Sequence, residues 1–246
     1  PFRKGPRMKV DGSVAFVTGA NRGLGEQFVR ALLEAGAAKV YAGARDPAKV
    51  TVPEAVPVAV DITDHASVLA AAEQAPDVTL LVNNAGSTTR AHILTTELDS
   101  FRTEFETHVF GTLAMSRAFA PLLGRNGGGA IVNVLSVLSW VSITASAGYA
   151  AAKSAEWSMT NALRLALAEQ GTQVTALHVS YLATDMAAAV TGPKADPAAV
   201  ARATLEGVEA GWPEVLADDV SGRVQAALSQ GPEALYPQLR GGSSLV

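Results

Sequence analysis

The chain has 246 residues, 48% of them hydrophobic and 17% charged, with a net charge of −4 and no cysteine. That hydrophobic content excludes an intrinsically disordered chain, and the length suits one large core burying about three quarters of the unfolded surface. The acidic balance, with no Lys/Arg run longer than two residues, argues against a nucleic-acid surface, and the missing thiols exclude disulfides, thiolate metal sites and cysteine nucleophiles.

Residues 1–9 read as a flexible arm or cloning remnant, with Met8 a candidate native start. The segment is basic and lacks the apolar centre of a secretory leader, so a cytoplasmic location is expected. Val14–Thr18 is a continuous apolar run and predicts a strand. Leu24, Phe28 and Leu32 then recur at helical spacing. Further strands are predicted at Lys39–Ala42, Val56–Val60, Val78–Val82, Ala130–Leu135, Gln173–Val179 and Glu214–Ala217. Helices are predicted at Asp64–Gln74, Leu98–Leu123, Tyr149–Glu169, Pro197–Ala210 and Asp218–Ser229. The uncharged stretch between Arg125 and Lys153 is long enough to cross a bilayer. Its asparagines, serines and glycines make it a strand, a polar loop and a helix start instead, so no membrane span is expected.

Unbroken apolar strands alternating with helices predict an α/β fold: a doubly wound, Rossmann-type parallel sheet of about seven strands covered on both faces. Residues 10–236 are expected to form this single domain, and 237–246 a C-terminal tail. In such sheets ligands bind beyond the carboxyl ends of the strands. The first such end carries Thr18-Gly-Ala-Asn-Arg-Gly-Leu-Gly25. Gly19, Gly23 and Gly25 allow a tight turn and close approach of a pyrophosphate to the helix N-terminus, with Asn21, Arg22 and Leu24 beside them. The glycines alone would also suit an ordinary turn.

The chain resembles the short-chain dehydrogenase/reductase family in four places. Thr18–Gly25 fits its T-G-x-x-x-G-x-G pattern, and Asn83-Asn-Ala-Gly86 its N-N-A-G motif. Ser136 precedes Tyr149-Ala-Ala-Ala-Lys153, which fits Y-x-x-x-K. The resemblance runs from about Val10 to Met186. It implies a nicotinamide cofactor, with Asn84, Ala85 and Gly86 along its path, Asp61 and Ile62 at the adenine and Thr184 at the carboxamide. An acid at the end of the second strand would select NAD. Ala44 stands there, followed by Arg45, and Arg45 with Arg22 suits the 2′-phosphate of NADPH/NADP+.

Tyr149 and Lys153 share one helix face. An ammonium about 4 Å away favours a phenolate by up to roughly 4 kcal/mol at an effective dielectric of 20. Lys153 is therefore expected to lower the phenol pKa, and by resemblance to hold the nicotinamide ribose. Ser136 is expected to hydrogen-bond the substrate oxygen. Two positions depart from the family pattern. Val179-Ser180 replaces a Pro-Gly pair, and His108-Val-Phe-Gly111 replaces N-V-x-G. His108 either takes the asparagine's part in the proton relay, as a neutral imidazole disfavoured from charging by Lys153, or is a satisfied core histidine.

Leu138, Trp140, Val141, Ile143, Tyr181, Met186 and Val190 are expected around the substrate, under a lid at Asp185–Pro197. No cationic cluster is evident, which points to an uncharged, fairly apolar ketone or aldehyde, or the matching secondary alcohol. An NADPH-dependent carbonyl reductase is the leading expectation. An NAD(P)-dependent alcohol dehydrogenase, an imine reductase and a non-catalytic NADPH-binding regulator are the alternatives. No metal site is expected. By resemblance the long helices form a homodimer through Leu113, Phe119, Trp157, Leu163 and Leu167, with a tetramer left open.

Overall fold

Residues 7–241 are described by a computed structural model. Most of the expected N-terminal arm (1–6) and the end of the C-terminal tail (242–246) lie outside the described residues. Seven strands form one sheet: β1 (Val14–Thr18), β2 (Lys39–Ala44), β3 (Val56–Ala59), β4 (Leu80–Asn83), β5 (Ala130–Val134), β6 (Gln173–His178) and β7 (Glu214–Leu216). Their order is β3-β2-β1-β4-β5-β6-β7, all pairs parallel. The strand order reverses between β1 and β4, the place where such sheets open a ligand crevice.

The helices are α1 (Gly23–Glu34), α2 (His65–Gln74), α3 (Leu98–Phe105), α4 (Thr112–Arg125), α5 (Ala147–Ala166), α6 (Pro197–Ala210), α7 (Asp219–Ala227) and the short α8 (Pro232–Leu235). One face of the sheet packs Phe28 and Leu32 of α1 with Val200, Leu205 and Val208 of α6. The other packs Val68 of α2 with Met115, Phe119 and Leu123 of α4. Burial on both faces is why the strands read as apolar runs. β2 outlasts its apolar run by two residues because Gly43 and Ala44 keep their pairing with Val58 and Ala59. A Cβ on Gly43 would stand 2.7 Å from the Phe16 ring.

Two expectations need correction. The helix from Leu98 is not uniform. Between α3 and α4, Glu106–Gly111 forms a π-helical segment, which re-aims the side chains that follow it. Phe119 and Leu167 are buried in the core of one chain, so neither supplies an interface contact. The large apolar side chains left exposed on these helices are Leu98, Phe110 and Leu165.

Candidate active site

A cleft of about 1310 Å³ opens along the carboxyl ends of the strands. At one end lies the turn between β1 and α1. Gly19 and Gly23 have φ of +64° and +56°. A Cβ on Gly25 would meet the Gly19 carbonyl at 2.1 Å, so only glycine closes this turn. Asn84 braces it from β4: its Nδ2 donates to the carbonyls of Thr18 at 2.9 Å and Gly19 at 3.3 Å. Thr18 Oγ1 accepts from the amides of Asn84 and Ala85. No side chain caps the N-terminus of α1, so its first amides face the cleft. That donor set suits a pyrophosphate.

Asn21, Arg22, Leu24, Ala44, Arg45, Asp61, Ile62, Ala85, Gly86 and Thr184 all line the same cleft. Ala44 ends β2 with no carboxylate, and Arg45 follows it exposed. Bonds from Thr63 hold the Asp61 carboxyl below its ordinary pKa, with help from Arg45. Arg22 lies 3.8 Å from Asp185 across the cleft, both well exposed. Together the open helix end and this lining fit a nicotinamide dinucleotide.

At the other end the structure brings together Ser136, Tyr149 and Lys153. Ser136 follows β5, and its Oγ accepts from the Leu138 amide at 3.1 Å. Tyr149 lies in the first turn of α5 and lines the same stretch of the cleft. Lys153 Nζ sits 5.8 Å from the Tyr149 ring centre. It donates to the Val134 carbonyl at 2.7 Å and to Glu156 Oε2 at 2.6 Å.

Glu156 is 1% exposed, and sequence reasoning did not single it out. Its other oxygen accepts from Thr112 Oγ1 at 3.0 Å. The signal was present as i,i+3 spacing from Lys153. Lys153 favours the phenolate as expected, but burial first, and then Glu156, outweigh it. Burial pushes the Tyr149 phenol up, Lys153 pulls it down, and Glu156 pushes it up again; the balance lies above its ordinary value. Burial disfavours the Lys153 ammonium, but Glu156 and Tyr149 more than offset this and raise its pKa.

His108 lies in the π-helical segment, 1% exposed, with its ring edge-on to Tyr149 at 5.0 Å. Nε2 donates to the Ser87 carbonyl at 2.8 Å, which fixes the tautomer, and buried Nδ1 has no partner. Nε2 also lies 3.4 Å from Glu104 Oε2. Glu104 is a second buried acid that sequence reasoning missed, again at helical spacing (i,i+4). Thr89 donates to it from its amide at 2.6 Å and its hydroxyl at 2.8 Å. Despite burial, these bonds and His108 hold its carboxyl below the ordinary value. Lys153 is therefore not the only charge facing His108.

Leu138, Tyr181, Met186 and Val190 line the cleft as expected. Trp140, Val141 and Ile143 do not. The Trp140 ring stacks on His178 with centres 3.7 Å apart and meets Trp157 edge-on at 6.2 Å. Val141 packs with Ala150 of α5 and Val224 of α7. The short 3₁₀ turn Val137–Ser139 sends Leu138 to the cleft and Trp140 to the far side. The Val179-Ser180 pair is accommodated because the Ser180 amide donates to Asp218 Oδ2 at 2.6 Å. Arg90, unanticipated, joins the cleft with a φ of +53° and reaches the Met186 carbonyl at 3.4 Å. Among the described residues no group of three or more His, Asp or Glu could hold a metal ion. No helix there is long and apolar enough to cross a membrane.

A doubly wound sheet with a glycine turn and a Ser–Tyr–Lys cluster at its strand ends defines a Rossmann-type oxidoreductase. Residues 13–194 match the family model for short chain dehydrogenases. The chain is 34% identical over 190 residues to a galactitol 2-dehydrogenase (L-tagatose-forming) of Cereibacter sphaeroides, covering 73% of this chain and 75% of the relative. A short chain dehydrogenase from Burkholderia cenocepacia, solved in complex with NADP, superposes with a TM-score of 0.91 at 39% identity, covering 96% of this chain and 100% of that one. A 3-ketoacyl-(acyl-carrier-protein) reductase from Brucella melitensis, solved with NADH, has a TM-score of 0.78 at 29% identity over 84% of this chain and 96% of its own. The chain belongs to the short-chain dehydrogenase/reductase family.

Proposed function

We propose that the protein is an NADPH-dependent carbonyl reductase acting on uncharged, fairly apolar ketones or aldehydes, and reversibly on the secondary alcohols. The observation that carries this reading is the grouping of Ser136, Tyr149 and Lys153 on one cleft whose far end has Ala44 and Arg45 where an NAD-selecting acid would stand. NADPH, when bound, supplies the hydride for the carbonyl carbon. Ser136 orients the carbonyl oxygen, and Tyr149 gives it a proton. Arg45, with Arg22 released from Asp185, is placed to take the 2′-phosphate. The NADP-bound Burkholderia structure supports this choice, and the NADH-bound Brucella structure shows that relatives differ.

A second reading follows from the galactitol 2-dehydrogenase similarity. Ser87, Thr88 and Ser146 put hydroxyls along the cleft, which suits a polyhydroxylated substrate. We read residues 10–236 as one catalytic unit, 185–197 as the substrate lid and 237–246 as a tail, in a cytoplasmic homodimer.

The test is oxidation of NADPH and NADH against a panel of apolar ketones, aldehydes and L-tagatose. NADPH should lead by at least about tenfold in kcat/KM, and Ala44→Asp with Arg45→Ala should reverse the order. Tyr149→Phe should cost about 10² or more in turnover with NADPH binding retained. Equal use of both cofactors would remove the NADPH assignment. L-tagatose as the preferred substrate would favour the second reading.

A further inference from the structure

The active-site lysine is not a lone cation. Its ammonium spends one hydrogen bond on the Val134 carbonyl and another on Glu156, leaving one N–H for the cleft. Lys153 is 5% and Glu156 1% exposed, so little solvent screens the pair. Glu156 is itself fixed. Thr112 of α4 donates to its Oε1, and its backbone carbonyl accepts from Thr160 at 2.7 Å. Thr160 in turn accepts from Asn133 of β5 at 2.8 Å.

The other charged or titratable groups around this cluster come from three directions. Glu104 of α3 adds a second negative charge near Tyr149. His108 approaches from the π-helical segment, with Glu106 on the cleft wall. His178 of β6 and Glu214 of β7 face each other at 3.6 Å on the far side of Trp140. None of them adds a fixed positive charge beside the phenol.

We propose that Glu156 is a positioning residue that cancels the charge of Lys153 and keeps Tyr149 in its proton-donating form, which extends carbonyl reduction to higher pH and confines alcohol oxidation to the alkaline side. This rests on the carbonyl-reductase reading above. In reduction the carbonyl carbon gains the hydride of NADPH, the π pair moves to oxygen, and oxygen takes the Tyr149 proton. The phenolate then regains a proton from solvent. A protonated phenol is the form this step consumes. Alcohol oxidation runs the same atoms backwards and needs the phenolate, which a net-neutral Lys153–Glu156 pair supports poorly.

The test is the Glu156→Gln variant, which keeps the side-chain length and an acceptor for Thr112. One negative charge fewer makes the Tyr149–Lys153 pair release its first proton more readily, whichever of the two groups loses it. The rising limb of kcat/KM for alcohol oxidation should move down by one pH unit or more, a gain of about tenfold on its acidic side. The falling limb of ketone reduction should move the same way. A folded, active variant with unmoved limbs overturns the proposal, because a packing role would alter thermal stability and not the limbs. A second measurement needs no turnover. The tyrosinate absorbance of a protein minus that of its Tyr149→Phe counterpart reports ionisation of this phenol alone, and it is taken in the parent and in the Glu156→Gln background. Ionisation at lower pH in the Glu156→Gln background supports the proposal, and an unmoved ionisation, which burial alone would give, overturns it. Failure to turn over any carbonyl would instead remove the underlying reading while the absorbance titration still decides the role of Glu156.

Discussion

His108 has one ring nitrogen committed to the Ser87 carbonyl and the other buried without a partner, edge-on to the phenol of Tyr149. An unpartnered ring nitrogen close to the phenol is placed for a relay, but buried His178 also has an unpartnered nitrogen, so substitution decides between relay and packing. Asparagine offers a comparable donor and acceptor, so His108→Asn should keep kcat/KM within about tenfold. His108→Ala should lose more, because the Ser87 carbonyl is left without this donor, and a buried unpaired group costs about 1–3 kcal/mol. Profiles of kcat/KM against pH for the two variants separate the cases. An alanine variant as active as the parent at every pH would make His108 a packing residue.

Among the elements, the short edge strand β7 carries more than its length suggests. Glu214 at its start accepts from Trp157 Nε1 of α5 at 3.0 Å and Gln225 Nε2 of α7 at 3.1 Å, and His178 of β6 faces it at 3.6 Å. His178, opposed by burial and aided by Trp157, lowers its pKa to about 2. A carboxyl depressed in the folded state contributes stability that is fully present above its unfolded value near 4.5 and is lost as pH falls toward 2. Glu214→Gln should therefore lower Tm by roughly 3 °C or more at neutral pH. The same variant should flatten the further loss of Tm between those two pH values. A parallel fall of parent and variant through that window would show that the carboxyl carries no linked stability.

The strands, the helix faces and Ser136, Tyr149 and Lys153 were all legible in the sequence. Doubly buried strands show as apolar runs, and the three candidate residues stand in spaced family motifs, Ser136 just past β5 and Tyr149 and Lys153 in α5. The π-helical segment was not, because Phe105 to Thr112 continues a helical pattern with no proline or glycine pair to mark the extra residue. Glu104 and Glu156 were not, because an acid within an amphipathic helix reads as its solvated side. Only the approach of Lys153 and Thr89 turns those positions inward. Trp140 failed for the opposite reason: its neighbour Leu138 does face the cleft, and one short 3₁₀ turn separates their directions.

For the whole molecule, the unpartnered apolar side chains bear on assembly. Phe110 is 54% and Leu165 73% exposed, on the long helices that the family resemblance assigns to a dimer. A homodimer is expected by sedimentation, and Phe110→Glu should shift it toward monomer while leaving the far-ultraviolet spectrum unchanged. A monomeric parent would end the dimer reading.

The order β3-β2-β1-β4-β5-β6-β7 also governs how the chain acquires activity as it folds. β1 must wait for β4, more than sixty residues along, before its second edge is paired, as the Ala15–Leu80 register shows. Closing such distant parallel pairs is slow. The glycine turn, Ser136 and Thr184 follow three different strands, so no early fragment holds a working site. Recovery of turnover on refolding therefore reports the pairing of the strands from β1 to β6 rather than the growth of any local segment.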